Sequence, residues 1–384
     1  MRMRIGLVVT GGVDRSGRER VVPILLWLVE RLARRHDVHV FALHHYPEAC
    51  TYPLLGATVH DVGRVDGPPG LRRIRLRARL ADAIAAHGPF DLLHAYWGMP
   101  AGLVSTQVGG AIGVPVIVSF SSGELVSLPD INYGLQRRWI DRRAITAVAR
   151  GAARITVDTT FMARLAEGHG IRAQIIPMGI DTRAFPLAAR VDGPPWRLLR
   201  VASINPVKDY PTLLRAFAQL VHSGLDVHLD IVGEDTLNGA IQALARTLGL
   251  DARVSFHGFQ PTDRLAAFYA RAHLHVAPSR HEAAGVVMLE AASTGLASVG
   301  TATGYLADWA IASAPDGSER GVAVPVRNPG ALADAVIALL KDPVGRERLA
   351  RAARGWTLAH DADWTSGQFE ALYNELRAPG TPKV

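Results

Sequence analysis

Short apolar runs alternate with amphipathic stretches along nearly the whole chain. In the first half, Ile5–Thr10, Val38–Leu43, Asp91–Ala95, Pro115–Phe120, Arg154–Val157 and Gln174–Ile176 read as strands. Between the first two, Val22, Leu25, Leu26, Val29 and Leu32 recur at helical spacing and predict a helix over Val21–Arg35. The second half repeats the scheme. Its strands are Leu198–Ala202, Val227–Val232, Arg253–His257, His273–Ala277 and Ala297–Gly300, and its helices include Pro211–Ser223, Gly239–Leu248 and Ala331–Lys341. This alternation predicts an α/β protein with parallel sheets covered on both faces.

A chain of 384 residues exceeds one ordinary core, so two domains are expected. The seam is Phe185–Trp196, which is rich in Pro and polar residues and has no clear period. The resulting division is 1–185, 186–360 and a C-terminal segment, 361–384. That segment ends in a tail, Pro379–Val384, expected to fray.

Composition narrows the class. Hydrophobic residues make up 48% and charged residues 20%, as in soluble globular proteins. Cys50 is the sole cysteine, so an internal disulfide is impossible and a reducing cytoplasm is expected. Ile5–Val9 is too short for a signal-peptide core, and no apolar run approaches the ~20 residues of a membrane span. The net charge of +7 divides into +8 for residues 1–185 and −1 for the remainder. No zinc-finger spacing, RNA-binding motif or basic zipper accompanies that excess, so nucleic acid is not the expected partner. A basic acceptor site or an anionic membrane surface fits it, the latter placing the protein peripherally at the inner face of the membrane. Leu71–Leu80 (LRRIRLRARL) fits an interfacial helix touching anionic lipid or a phosphorylated acceptor, and equally a solvated helix face.

The strongest chemical signal is Pro278–Ala291 (PSRHEAAGVVMLEA), which follows a strand and opens a helix. If the helix begins near Gly285, its free N–H groups suit a pyrophosphate. Glu290 then lies one turn inside, placed for a ribose diol, and Glu282 precedes the helix within reach of a sugar hydroxyl. An arbitrary pair at this spacing is as well explained by a capping Glu282 and a solvated Glu290.

The surroundings decide between these. The run resembles the E-x7-E motif of family 4 of the glycosyltransferases. Gly11-Gly12 resembles that family's glycine loop, and Ile176–Asp181 (IPMGID) with Phe185 its signature before the interdomain linker. Val201–Lys208 resembles its phosphate-binding segment. Leu229–Glu234 and Val254–Phe259 match later landmarks, and Thr301–Gly304 resembles the turn after the acidic motif. The resemblance implies a GT-B fold, two Rossmann-like domains facing each other across a cleft, with the acceptor on the N-terminal domain and the donor on the C-terminal one. The last helical stretch, Asp361–Arg377, would pack back on the N-terminal domain.

It further implies a retaining hexosyltransferase using a UDP- or GDP-sugar, with no metal and no resident cofactor. The acceptor would be a sugar, a lipid-linked group or a small molecule, in cell-envelope polysaccharide, glycolipid or glycoconjugate synthesis. Lys208 would bind the diphosphate, Glu282 the donor sugar and Glu290 the ribose. Gly285, Val286 and Val287 would offer backbone amides, Gly11 and Gly12 close approach, and His257, Gly258 and Phe259 the surroundings of the base.

Two departures stand out. Ser203 replaces the family's usual Arg, removing a diphosphate cation that Arg280 or another arginine would have to supply. Ser121 stands where an active-site His is often found, in Ser119–Glu124. Glu124 matches the acidic position there, for an acceptor hydroxyl or a turn cap, and His94 either points to the same side or, as lone histidines more often are, is a satisfied structural residue. These serines keep open a catalytically weak or inactive sugar-nucleotide binder of the same fold. An epimerase of this fold would lack the IPMGID and E-x7-E pairing. Asp361-Ala362-Asp363 resembles a metal-binding triplet but lies in a polar helical context and reads as a solvated face.

Overall fold

Arg4–Val9 (β1), Asp37–Ala42 (β2), Cys50–Leu54 (β3), Ala57–Asp61 (β4), Leu92–Tyr96 (β5), Val116–Phe120 (β6), Arg154–Val157 (β7) and Gln174–Ile175 (β8) form one sheet, in the order β3-β4-β2-β1-β5-β6-β7-β8. These come from a computed structural model that describes residues 2–310 and 318–377. The tail expected at Pro379–Val384 lies outside the described residues. All pairs in this sheet are parallel except β3 with β4.

That β3–β4 hairpin is absent from the sequence reading. Its turn is Leu55-Gly56, with φ of 50° and 84°, the geometry a two-residue hairpin turn needs. Pro53 disguises β3, but it sits on an edge strand, where a missing N–H is harmless.

Trp196–Val201 (β9), Val227–Val232 (β10), Val254–Phe256 (β11), Leu274–Ala277 (β12), Ser298–Thr301 (β13) and Val322–Val324 (β14) form a second sheet, wholly parallel, ordered β11-β10-β9-β12-β13-β14. This is the doubly wound order. It reverses between β9 and β12, and ligands in such sheets bind outside the carboxyl ends of the strands flanking that point. The first sheet reverses in the same way between β1 and β5.

The chain forms two units. One comprises the residues up to Met178 together with those from Ala362 onward; the other is Gly179–Asp361. The first boundary thus falls earlier than the expected 185/186. Phe185 is fully buried in the second unit, edge-on to Tyr269 at 5.8 Å, and Ser293 Oγ donates to its carbonyl at 2.7 Å. The helix Ala362–Arg377 does return to the first unit. Its Phe369, Leu372 and Tyr373 complete a core with Ile5, Leu7, Leu92 and Ile117. Asp363, of the acidic triplet, pairs with Arg31 at 3.0 Å.

Candidate functional site

In the second unit, the chain leaves β9 through Ser203 and turns at Pro206–Lys208, and Asp209 caps the helix Tyr210–His222 by accepting from Thr212. It leaves β12 through Pro278–Glu282. The two loops are tied together by Arg280 N, which donates to Val207 O at 2.7 Å. Lys208 Nζ therefore reaches Glu282 and donates to both carboxylate oxygens, at 2.7 and 2.8 Å. Ser279 Oγ donates to Glu282 Oε1 at 2.7 Å. Burial alone would raise the pKa of Glu282, but Lys208, and behind it Arg200, hold it down to about 2. The sequence reading gave Lys208 and Glu282 separate partners; in the structure they hold each other.

The Thr301–Gly304 turn backs this pair. Thr301 Oγ1 donates to Ser279 O. Gly304, at φ 53°, packs on the Ala284 carbonyl and Glu282 Cβ, where any side chain would collide. The helix runs Val287–Ser293, starting two residues later than expected because Gly285 adopts φ 82°. Val286 and Val287 are half-buried at its start. Glu290 lies within its first turn, is 5% exposed and accepts from Tyr269 Oη at 2.7 Å. Burial, only partly offset by that bond, pushes its pKa up to about 7. His257 is fixed by Asp230 at 2.6 Å, Gly258 takes φ 63°, and Phe259 stands 53% exposed. Ser203 accepts from Asn205 at 2.9 Å.

In the first unit, Gly12 has φ 80°, and a side chain on it would strike Val22. Its glycine is thus already required by the turn after β1, which it shares with Gly11. Ser121, at the end of β6, donates to Asp158 Oδ1 at 3.0 Å, at the end of β7. Glu124 is buried and accepts from the N–H groups of Gly98 (3.0 Å) and Ser122 (2.8 Å). Its pKa is raised by burial against those bonds. Glu124 also lines a 730 Å³ cavity with Thr10, Trp97, Tyr133, Arg137 and Arg138, at the reversal point of this sheet. His94 corrects the reading: it is fully buried, bonded to Tyr373 Oη at 2.7 Å and Ser119 Oγ at 2.8 Å, and faces no acceptor.

Asp158 was not singled out from the sequence. Burial pushes its pKa up to about 7, with Ser121 opposing and Glu124 adding. Between about pH 4 and 7 Asp158 then holds more proton in the folded state than in the unfolded one, so its contribution to stability falls as pH rises through that window. Asp158→Asn is expected to raise the melting temperature at about pH 8, the gain vanishing below about pH 4; a thermal melt series against pH checks this.

The sequence matches two family models, Glycosyl transferase 4-like domain over residues 21–179 and Glycosyl transferases group 1 over 186–356. It is 30% identical over 308 residues to a phosphatidyl-myo-inositol mannosyltransferase of Mycobacterium tuberculosis, covering 77% of this chain and 76% of that protein. It is 32% identical over 320 residues to a D-inositol 3-phosphate glycosyltransferase of Thermomonospora curvata, covering 73% and 71%. The chain belongs to family 4 of the GT-B glycosyltransferases.

Solved structures share the glycosyltransferase's fold across its length. Sucrose-phosphate synthase from Thermosynechococcus elongatus superposes with a TM-score of 0.80 at 21% identity, covering 98% of this chain and 99% of that one. HepE from Anabaena, in complex with UDP and glucose, gives 0.74 at 16% identity, covering 97% and 100%.

The glycosyltransferase also carries a basic cavity that the sequence located only as a segment. A 790 Å³ hollow is lined by His44, Arg64, Arg72, Arg73, Arg138 and Ile140, among others. Arg72 and Arg73 lie on the helix Pro69–His87, which contains Leu71–Leu80, and Ile140 on the helix Trp139–Gly151. On these same two helices Ile74 is 58% and Trp139 61% exposed. No described helix is long and apolar enough to cross a membrane.

Proposed function

We propose that the enzyme moves a hexose-type sugar, with retention of configuration, from a UDP- or GDP-sugar to a hydroxyl of a phosphorylated or otherwise anionic acceptor. The observation that carries this is the meeting of Lys208 and Glu282 outside the carboxyl ends of β9 and β12, where that sheet's order reverses. Lys208 supplies a point charge for the diphosphate. Glu282, fixed as an anion, takes a donor-sugar hydroxyl. Glu290 takes the ribose; Tyr269 occupies one of its oxygens and leaves acceptor capacity on the carboxylate. The backbone of Gly285–Val287 lies between the two carboxylates in sequence and contributes N–H groups.

Retention follows if the leaving diphosphate oxygen receives the acceptor's proton on the face it departs from. The protein then needs to stabilise the departing charge rather than supply a base, which accords with Ser121 in place of an imidazole. The reaction so drawn uses no metal and no resident cofactor. For the acceptor, the arginine-lined cavity of the first unit supports an anion, as do relatives whose names specify inositol phosphate and phosphatidylinositol. The exposed Leu71, Ile74, Trp139 and Ile140 beside those arginines support an acceptor presented at an anionic lipid surface.

A thermal-shift screen of UDP-, GDP- and ADP-sugars, followed by transfer to paired phosphorylated and unphosphorylated polyols, tests the reading. Stabilisation by one donor and preference for the phosphorylated acceptor are expected; transfer confined to neutral acceptors would remove the second half of the proposal. Arg72→Glu with Arg73→Glu is expected to raise KM for the anionic acceptor by at least about tenfold while leaving donor KM within about twofold.

A further inference from the structure

Arg200 is the penultimate residue of β9 and is 0% exposed, a position that ordinarily takes an apolar residue. Its Nη2 donates to Ser279 Oγ at 2.7 Å, and Ser279 passes a bond on to Glu282 Oε1 at 2.7 Å. The same Nη2 stands 3.9 Å from that oxygen. Its Nε and Nη1 meet no hydrogen-bond partner among the described residues. A guanidinium buried in this way is costly unless its charge is used.

The use is visible from Lys208. An ammonium has three donors, and two are spent on Glu282. Ser203 brings no charge to this turn, so Lys208 is the cation of the β9 loop that must meet a diphosphate. Each bond it gives to phosphate weakens its hold on a buried carboxylate.

We propose that Arg200 is a positioning residue for the donor, keeping Glu282 anionic and in place while Lys208 turns from it to the diphosphate. This rests on the donor reading above. Without Arg200, Lys208 could leave Glu282 only if that carboxylate took up a proton or stayed buried without a cation. Donor binding would then weaken and become coupled to proton uptake.

The titratable and charged groups around the pair include Lys208 from the turn after β9, Tyr210 from the following helix, His275 from β12, Arg280 and the buried His281 preceding Glu282 in its own loop, Tyr269 with Glu290, and Asp235. His275 stays neutral, its pKa pushed down to about 3 by burial. Burial pushes the Glu290 pKa up to about 7, so the comparison is made as a difference between proteins.

The test is calorimetry of the full chain with UDP-glucose, GDP-mannose and ADP-glucose, between about pH 6 and 8 and in two buffers of different ionisation enthalpy. Arg200→Met is expected to bind the wild type's donor at least about tenfold more weakly at about pH 8, and to take up close to one more proton per donor than wild type. Arg200→Lys should restore wild-type behaviour. Arg200→Gln, which keeps a polar partner for Ser279, is run beside the methionine variant and should share its defect. In a Glu282→Gln background, where no charge is left behind, Arg200→Met should change affinity by less than about twofold. An unchanged affinity and proton count in Arg200→Met, or an equal loss in the Glu282→Gln background, overturns the proposal. Wild-type protein that binds none of the three sugar nucleotides overturns the donor reading and this inference with it.

Discussion

Lys208→Met is expected to cut sugar transfer by at least about 10²–10³-fold, the scale seen when one preorganised charge-stabilising group is removed from an active site. Sugar departure leaves negative charge on the diphosphate, and an ammonium fixed before the donor arrives pays little reorganisation to meet it. Lys208 is fixed in that way, by the Pro206–Lys208 turn and by Glu282 at 2.7 and 2.8 Å. The variant should still fold, since Ser279 and Arg200 remain beside Glu282. It should also shift the Glu282 pKa upward from about 2, because the largest force opposing burial is gone. Initial transfer rates, read beside far-ultraviolet circular dichroism, check both halves. Near-normal turnover by a folded Lys208→Met protein would remove Lys208 from the chemistry.

Two fully buried histidines should drive the protein's unfolding in acid. His94 in the first unit and His275 in the second are both 0% exposed, and burial depresses each pKa to about 3, with Arg200 adding to the effect at His275. The unfolded chain binds a proton on each near pH 6.5, and the folded one does not until about pH 3. Each histidine's contribution to stability therefore falls as pH drops through that window, by up to about 5 kcal/mol, opposed between about pH 4 and 7 by the raised carboxyls of Asp158 and Glu290. That is comparable with the whole stability of an ordinary domain. Glu282 acts in the other acid range: its depressed pKa stabilises the fold above about pH 4.5 and is lost only towards about pH 2. His94→Gln, which keeps a polar partner for Tyr373 and Ser119, should move the acid midpoint down by at least about half a pH unit, and His275→Gln should do the same. A fluorescence pH titration reads the shift. A midpoint that stays put in both variants would show that other groups drive acid unfolding.

The two doubly wound sheets were legible in the sequence because their central strands are buried on both faces and so read as unbroken apolar runs. The β3–β4 hairpin was not, since it lies at an edge and half of β3 faces solvent. Lys208, Glu282 and Glu290 stand out through the resemblance of their segments to a known family, but their mutual arrangement is not legible in the sequence. Nothing in a linear pattern shows that Arg280 N reaches Val207 O and so draws two distant loops together. His94 was open for a related reason: a histidine in a strand can face a ligand or be a satisfied structural residue, and only the last helix, whose Tyr373 bonds it, decides for the second. Two signals were present and passed over. Arg200 interrupts the apolar run Leu198–Val201, and Asp158 ends the apolar strand Arg154–Val157. A charge in such a place must be answered by something buried beside it, and each proves to be.

The closing helix, Ala362–Arg377, has a consequence for how the molecule is made. Its Phe369, Leu372 and Tyr373 belong to a core that includes Ile5, Leu7, Leu92 and Ile117, synthesised more than two hundred residues earlier. On the ribosome the first unit stays unfinished until the helix Ala362–Arg377 has emerged, whereas the second has all its residues by Asp361. Assembly thus runs against the usual order, in which the N-terminal domain matures first. A premature stop even at Phe369 would release a protein whose second unit is whole and whose first lacks its last supporting wall.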